Sequence, residues 1–269
     1  MKAILAFIGV AAVVWLGYIF FFDTDQVVTV PDVATTTATT TAVAVPPVTD
    51  TEPVVKPISH ATMALTWKGL TIITDPVGDI AQYQGIKPDI ILITDIHADH
   101  LSTTTLKAIM GTAAVIVPQA VEDLLPKEIA DRTEVLKNNE RKDVKGFSIT
   151  ATPMYNVPET ADSPHTKGRG NGYLIERDGY RVYVAGDTGG TPEMRALTEI
   201  DMAFIPMNLP YTMTVDEAAD AVKAFKPRIV YPYHYRGKDG LSDVARFKTL
   251  VEQANVGTSV MLLDWYPNE

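Results

Sequence analysis

The 269-residue sequence predicts an α+β fold, a layered αβ/βα sandwich, preceded by a transmembrane helix. Three observations predict it. From residue 61 onward, strand-like and helix-like segments alternate. They divide into an early half opened by a hairpin and a later half that carries a second one. Near the N-terminus, residues 3–22 (AILAFIGVAAVVWLGYIFFF) form an uncharged apolar run of 20.

As a helix that run measures about 30 Å, the thickness of a bilayer core. Lys2 precedes it, and Asp23 and Asp25 follow it. The positive-inside rule then places the N-terminus in the cytoplasm and the rest in the periplasm or outside the cell. A cleaved signal peptide has an apolar region of about 7–15 residues followed closely by a small-residue site. Here the run ends in Phe20-Phe21-Phe22, and the nearest A-x-A, Ala42-Val43-Ala44, lies well downstream. An uncleaved single-pass anchor over 1–22 is therefore expected. Residues 23–57 are rich in Thr, Val and Pro and lack a helical or strand period, so they predict a disordered or extended linker. The folded domain is expected over 58–269, roughly 210 residues, enough for one core.

Along that domain, 61–66 and 70–74 predict a hairpin, and 89–94 (DIILIT) a fully buried strand. Residues 101–111 predict a helix capped by Ser102 and stopped at Gly111. Further strands are expected at 115–118 and 147–153. Residues 172–187 read as two strands joined by Asp178-Gly179. A strand at 201–206 precedes a helix at 214–225, whose Thr214 and Glu217 form a capping box. A strand at 228–234, a helix at 245–254 and a strand at 258–264 complete the series.

Composition narrows the chemistry. Cysteine is absent, which removes disulfides, thiolate metal sites and cysteine nucleophiles. The formal net charge is −10 and no Lys/Arg run occurs, so nucleic acid is not an expected partner. Neither a G-x-S-x-G elbow nor a phosphate-binding Walker loop is present.

The decisive stretch is Thr94-Asp95-Ile96-His97-Ala98-Asp99-His100, directly after a buried strand. Four of its residues are potential metal ligands, and a dication is the natural partner for several polar groups at a core edge. Single candidates follow later: His165 in a Gly-rich loop, and Asp187 and His234 at strand ends.

These residues resemble the metallo-β-lactamase superfamily over residues 58–269. The branch they resemble includes L-ascorbate-6-phosphate lactonase-like and N-acyl phosphatidylethanolamine phospholipase D-like proteins. Its opening signals read here as Ser59-His60-Ala61-Thr62 and Thr74-Asp75-Pro76. The superfamily pattern H-x-H-x-D-H, His, Gly-Asp-Thr, His reads as Asp95-x-His97-x-Asp99-His100, His165, Gly186-Asp187-Thr188 and His234. The resemblance implies a four-layer sandwich holding two divalent metal ions. One ion would take Asp95, His97 and His165, the other Asp99, His100 and His234, with Asp187 bridging. Asp95 stands where the pattern has His. Zinc is expected first, with manganese or iron as alternatives because oxygen donors favour them. Asp95→His is expected to retain or improve zinc binding.

Two such cations can ionise a shared water near neutral pH, giving a hydrolase for an ester, lactone or phosphodiester. Asp99 is the candidate catalytic carboxylate, orienting that water or taking its proton. His60 and Asp75 are expected to lie behind the ligands, although a plain satisfied histidine and a turn-forming aspartate fit equally. Tyr211, Lys167, Arg169 and Tyr235, with Arg236, are candidate contacts to a small-molecule or lipid-like substrate. The competing reading is a membrane-tethered metal-binding or interaction module without catalysis, its site degraded at Asp95.

Overall fold

The computed structural model describes residues 51–267. The apolar segment 3–22 and residues 23–50 of the expected linker lie outside the described residues. Among the described residues, no helix is long and apolar enough to cross a membrane.

The first sheet has six strands in chain order: β1 Val54–Ser59, β2 Thr62–Trp67, β3 Leu70–Thr74, β4 Ile90–Leu92, β5 Ala114–Val117 and β6 Thr133–Val135. The β1–β2 and β2–β3 pairs are antiparallel, and β3 to β6 run parallel. Helix α1 (Thr103–Ile109) and two single-turn helices, α2 (Gln119–Glu122) and α3 (Lys127–Ala130), connect them. The second sheet contains β7 Arg141–Val144, β8 Phe147–Met154, β9 Gly170–Arg177, β10 Tyr180–Val184, β11 Met202–Pro206 and β12 Ile229–Tyr233. A small ribbon, β13 Arg236–Gly237 with β14 Gly240–Leu241, follows, and β15 Ser259–Val260 flanks β12. Here β7 to β10 are antiparallel, whereas β10, β11, β12 and β15 are parallel. Helices α4 (Pro192–Arg195), α5 (Val215–Phe225) and α6 (Val244–Gln253) belong to this half.

The layering follows from alternation along the strands. In the IILI run, Ile90 and Leu92 join the core shared with Phe147, Ile149, Tyr173 and Ile175 of the second sheet. Ile91 and Ile93 point the other way, toward Leu106 and Met110 of the α1 segment. A two-residue period with both faces apolar is what a strand sandwiched between a sheet and a helix requires. All four side chains are fully buried, each contributing about 1.5–3 kcal/mol from burial. The α5 cap is present as expected: the Thr214 side chain accepts from Glu217 N–H, and the Glu217 carboxylate accepts from Thr214 N–H.

Two expectations need correction. The linker does not extend to residue 57, because Val54–Ser59 forms the edge strand β1. Trp67 Nε1 donates to Thr51 O, and Arg228 pairs with Glu52. A proline-bearing segment reads poorly as a strand, yet an edge position tolerates Pro57. The last strand spans only Ser259–Val260, after which the chain leaves the sheet and buries Trp265 and Tyr266.

Parallel strands held in register end at one edge. Asp75 follows β3, Asp95 lies just past β4, Asp187 past β10, Asn208 past β11, and His234 directly follows β12. Cross-sheet hydrogen bonds clasp the two sheets there: Tyr173 OH donates to Ile93 O, and Asn171 N–H to Thr94 O.

Candidate metal centre

Two trios of ligand atoms form at this edge: Asp95, His97 and His165, and Asp99, His100 and His234. Within each trio the atoms lie within 4.8 Å of one another. Asp187 touches both. Its Oδ2 is 3.3 Å from His165 Nε2 and 3.4 Å from His100 Nε2, and its Oδ1 is 3.4 Å from His234 Nε2. The seven candidate ligands expected from the sequence are thus these two trios and the one carboxylate that touches both.

Local structure explains each placement. The turn after β4 folds back on itself, with His100 and Leu101 N–H groups donating to His97 O. This carries His97, Asp99 and His100 to one side. Although His165 lies in a long loop, Asn156 pins it: its N–H donates to Asn156 Oδ1, and Asn156 N–H donates to His165 O. His234 has a positive φ of 45°, and its N–H donates to His60 O. Asp75 is fully buried; it accepts from Thr94 N–H and Oγ1–H at 2.7 Å each and lies 2.9 Å from His100 Nδ1. Such a contact fixes the ring so that Nε2 faces the cluster. The His60 ring meets that of His234 edge-on, with centroids 5.6 Å apart, and lines the same pocket.

The residues present fit a metal. His100 Nε2, both ring nitrogens of His165 and Asp187 Oδ1 are buried without a hydrogen-bond partner. Each such atom costs about 1–3 kcal/mol when nothing satisfies it, and His100 Nε2 and His165 Nε2 both face Asp187. The charges there are strongly coupled. Burial pulls the His100 imidazole down, but Asp187 and Asp75 outweigh it and hold its pKa well above the ordinary value. Burial raises Asp187, yet His234 and His100 bring it well below the carboxylate range. Asp99 is lowered in the same way by His234 and His100. Burial lifts Asp75 despite His100 and Thr94.

A measurable consequence follows. With its pKa held above the ordinary imidazole value by Asp187 and Asp75, His100 is expected to give up a proton when it ligates, so affinity should rise with pH. Zinc titration calorimetry in two buffers of different ionisation enthalpy should give heats that differ. Equal heats would contradict a protonated His100.

A family model described as beta-lactamase superfamily domain matches residues 55–234, a span that holds every ligand above. The chain belongs to the beta-lactamase superfamily. Among relatives of this superfamily member, a "UPF0173 metal-dependent hydrolase" from Thermococcus onnurineus is 32% identical over 176 residues, covering 64% of this chain and 78% of that protein. A Parabacteroides distasonis structure assigned as a metal-dependent hydrolase is 36% identical, with a TM-score of 0.69, covering 78% of this chain and 92% of the other. Igni18, a metallo hydrolase from Ignicoccus hospitalis, shares the fold at 24% identity and TM-score 0.67, over 78% and 94% of the two chains.

In this beta-lactamase superfamily member, the trios open into a pocket of about 390 Å³. Asn208, Tyr211, Arg236, Gly237 and Lys238 form its wall beside the ligands. Three of the expected substrate contacts lie elsewhere. Lys167 Nζ is 2.6 Å from Glu193 and over the Tyr155 ring. Arg169 is spent on Asp95, with Nε 3.1 Å from Oδ1 and Nη2 2.8 Å from Oδ2. Tyr235 is buried; its ring meets Tyr266, and its hydroxyl accepts from Trp265 N–H. Asn208 was not singled out in the sequence. It is buried, with its amide nitrogen 3.4 Å from His234 Nε2. The signal was available: it follows a buried strand, as the ligands do.

Proposed function

We propose that this metal-dependent hydrolase cleaves an ester, lactone or phosphodiester bond in a small or lipid-like substrate, using two divalent cations, zinc first and manganese or iron second. The observation that carries the reading is Asp187, one carboxylate within 3.3–3.4 Å of three imidazoles drawn from both trios. When bound, a cation pair supplies a water ionised near neutral pH and positive charge for the oxygen that becomes anionic.

The chain's own groups supply the rest. Asp75 holds the His100 ring, and the Asn156 clamp holds His165. Asp99 is the ligand carboxylate most open to the pocket, with 43% of its side chain exposed. Kept ionised by His234 and His100, it can accept a hydrogen bond from the attacking water and orient it. Tyr211 and Asn208 shape one wall, while Arg236 and Lys238 place cations where an anionic substrate group would enter.

The test is a panel assay of the full-length protein, metal-free and loaded with zinc or manganese, against p-nitrophenyl esters, simple lactones and bis-p-nitrophenyl phosphate. Metal-dependent turnover in one class is expected. Full metal loading without turnover in any class would sink the substrate assignment. We also place the domain at a membrane, outside the cytoplasm, a reading supported by the apolar run 3–22 and the acids that follow it. Protease accessibility in intact cells tests that placement.

A further inference from the structure

We infer that Asp95 and Arg169 act as one charge-neutral unit in place of a single imidazole, with Arg169 as the positioning residue that leaves one oxygen of Asp95 for the first metal ion. The inference rests on the metal-centre reading above.

The geometry is specific. The Asp95 carboxylate is fully buried, and the Arg169 guanidinium takes both of its oxygens from one side. This fork-on-fork pairing is the strong, directional form of the Arg–carboxylate contact. A carboxylate offers about four lone-pair sites, and the fork occupies only two. Oδ2 still faces the cluster, 2.8 Å from His97 Nδ1 and 3.7 Å from His165 Nε2. Asp95 can thus present one oxygen to an ion while its charge is cancelled behind. A neutral histidine would bring the same net charge.

The backbone is built for this pairing. Arg169 directly precedes β9, and Thr94 directly precedes Asp95. Asn171 N–H donates to Thr94 O at 2.9 Å. Between them, a side chain at Gly170 would stand 2.8 Å from Thr94 O and collide with Met154. Glycine there lets β9 approach the exit of β4, which aligns the guanidinium with its partner. With only 20% of its side chain exposed and no place in the pocket wall, Arg169 is not available to substrate.

Two charges that act as a unit show it in a double-mutant cycle. Asp95→His alone leaves the Arg169 cation facing the ion, which reverses the expectation drawn from the sequence. Its first-site zinc affinity should fall by about 10–100-fold. Adding Arg169→Gln to Asp95→His should restore most of that loss. Arg169→Gln alone leaves a buried carboxylate uncompensated, so the metal-free protein should melt earlier, and zinc should raise its Tm by more than it raises that of the wild type.

The measurements are zinc calorimetry and thermal melts on the full-length chain. The ion held by Asp99, His100 and His234 serves as the internal control for folding, because its affinity should hold in every variant. Wild type binding two ions while Asp95→His keeps its first-site affinity would overturn this inference alone. Wild type binding none would remove the metal-centre reading with it. Should Asp95→His fail to fold, Arg169→Gln decides: a zinc-induced rise in Tm equal to the wild type's overturns the proposal, and a larger one supports it.

Discussion

Asp187→Ala is expected to abolish metal binding at both trios and to lower the hydrolytic rate by about a thousandfold or more, since metal polarisation supplies several kcal/mol of transition-state stabilisation. The reason is its position. Among the described residues, no other carboxylate contacts imidazoles of both trios, with His165 and His100 on Oδ2 and His234 on Oδ1. Ion content by elemental analysis should fall together with rate. Asp187→Asn keeps the side-chain volume and separates loss of charge from loss of packing. Full metal content and full rate in Asp187→Ala would remove Asp187 from the centre.

Asp75→Ala is expected to cost about 3–5 kcal/mol of stability in the metal-free protein, the cost of stripping one partner from a buried pair. For a domain of this size that lowers Tm by about 6–20 °C. Three donors lose their acceptor at once: Thr94 N–H, Thr94 Oγ1–H and the His100 ring. Asp75 also sits at a φ of 44°, a left-handed conformation that Asp and Asn tolerate better than Ala. Asp75→Asn should therefore recover part of the fold but not the His100 orientation, leaving zinc affinity reduced by about 10–100-fold. An Asp75→Ala protein with unchanged Tm would show that the pair contributes nothing.

How far the sequence could be read depended on how local the cause was. The D-x-H-x-D-H cluster sits on one turn behind one apolar strand, so spacing alone points to four candidate ligands. Asp187 and His234 follow the same strand-end logic. His165 has no such signal, because Asn156 fixes its place through two hydrogen bonds in the folded loop. The charges of that loop misled for a related reason. Lys167 and Arg169 look solvated among glycines, but their partners, Glu193 and Asp95, are distant in sequence and meet them only when the sheets close. Tyr235 follows a ligand directly, yet the left-handed turn at His234 sends its side chain back to Tyr266 and Trp265. In the fold, β1 was hidden by its proline, whereas β6 is half-buried and β7 is polar, both too short and without the apolar alternation that marks a strand.

The candidate ligands divide by origin. Asp95, His97, Asp99 and His100 come from the half of the chain that builds the first sheet, and His165, Asp187 and His234 from the half that builds the second. Bound cations would therefore rivet the two halves across their seam, and every ion gained adds to the work of prising them apart. Chelation withdraws that fastening from the rim inward, so the loops around the pocket should loosen before the apolar layers beneath them give way.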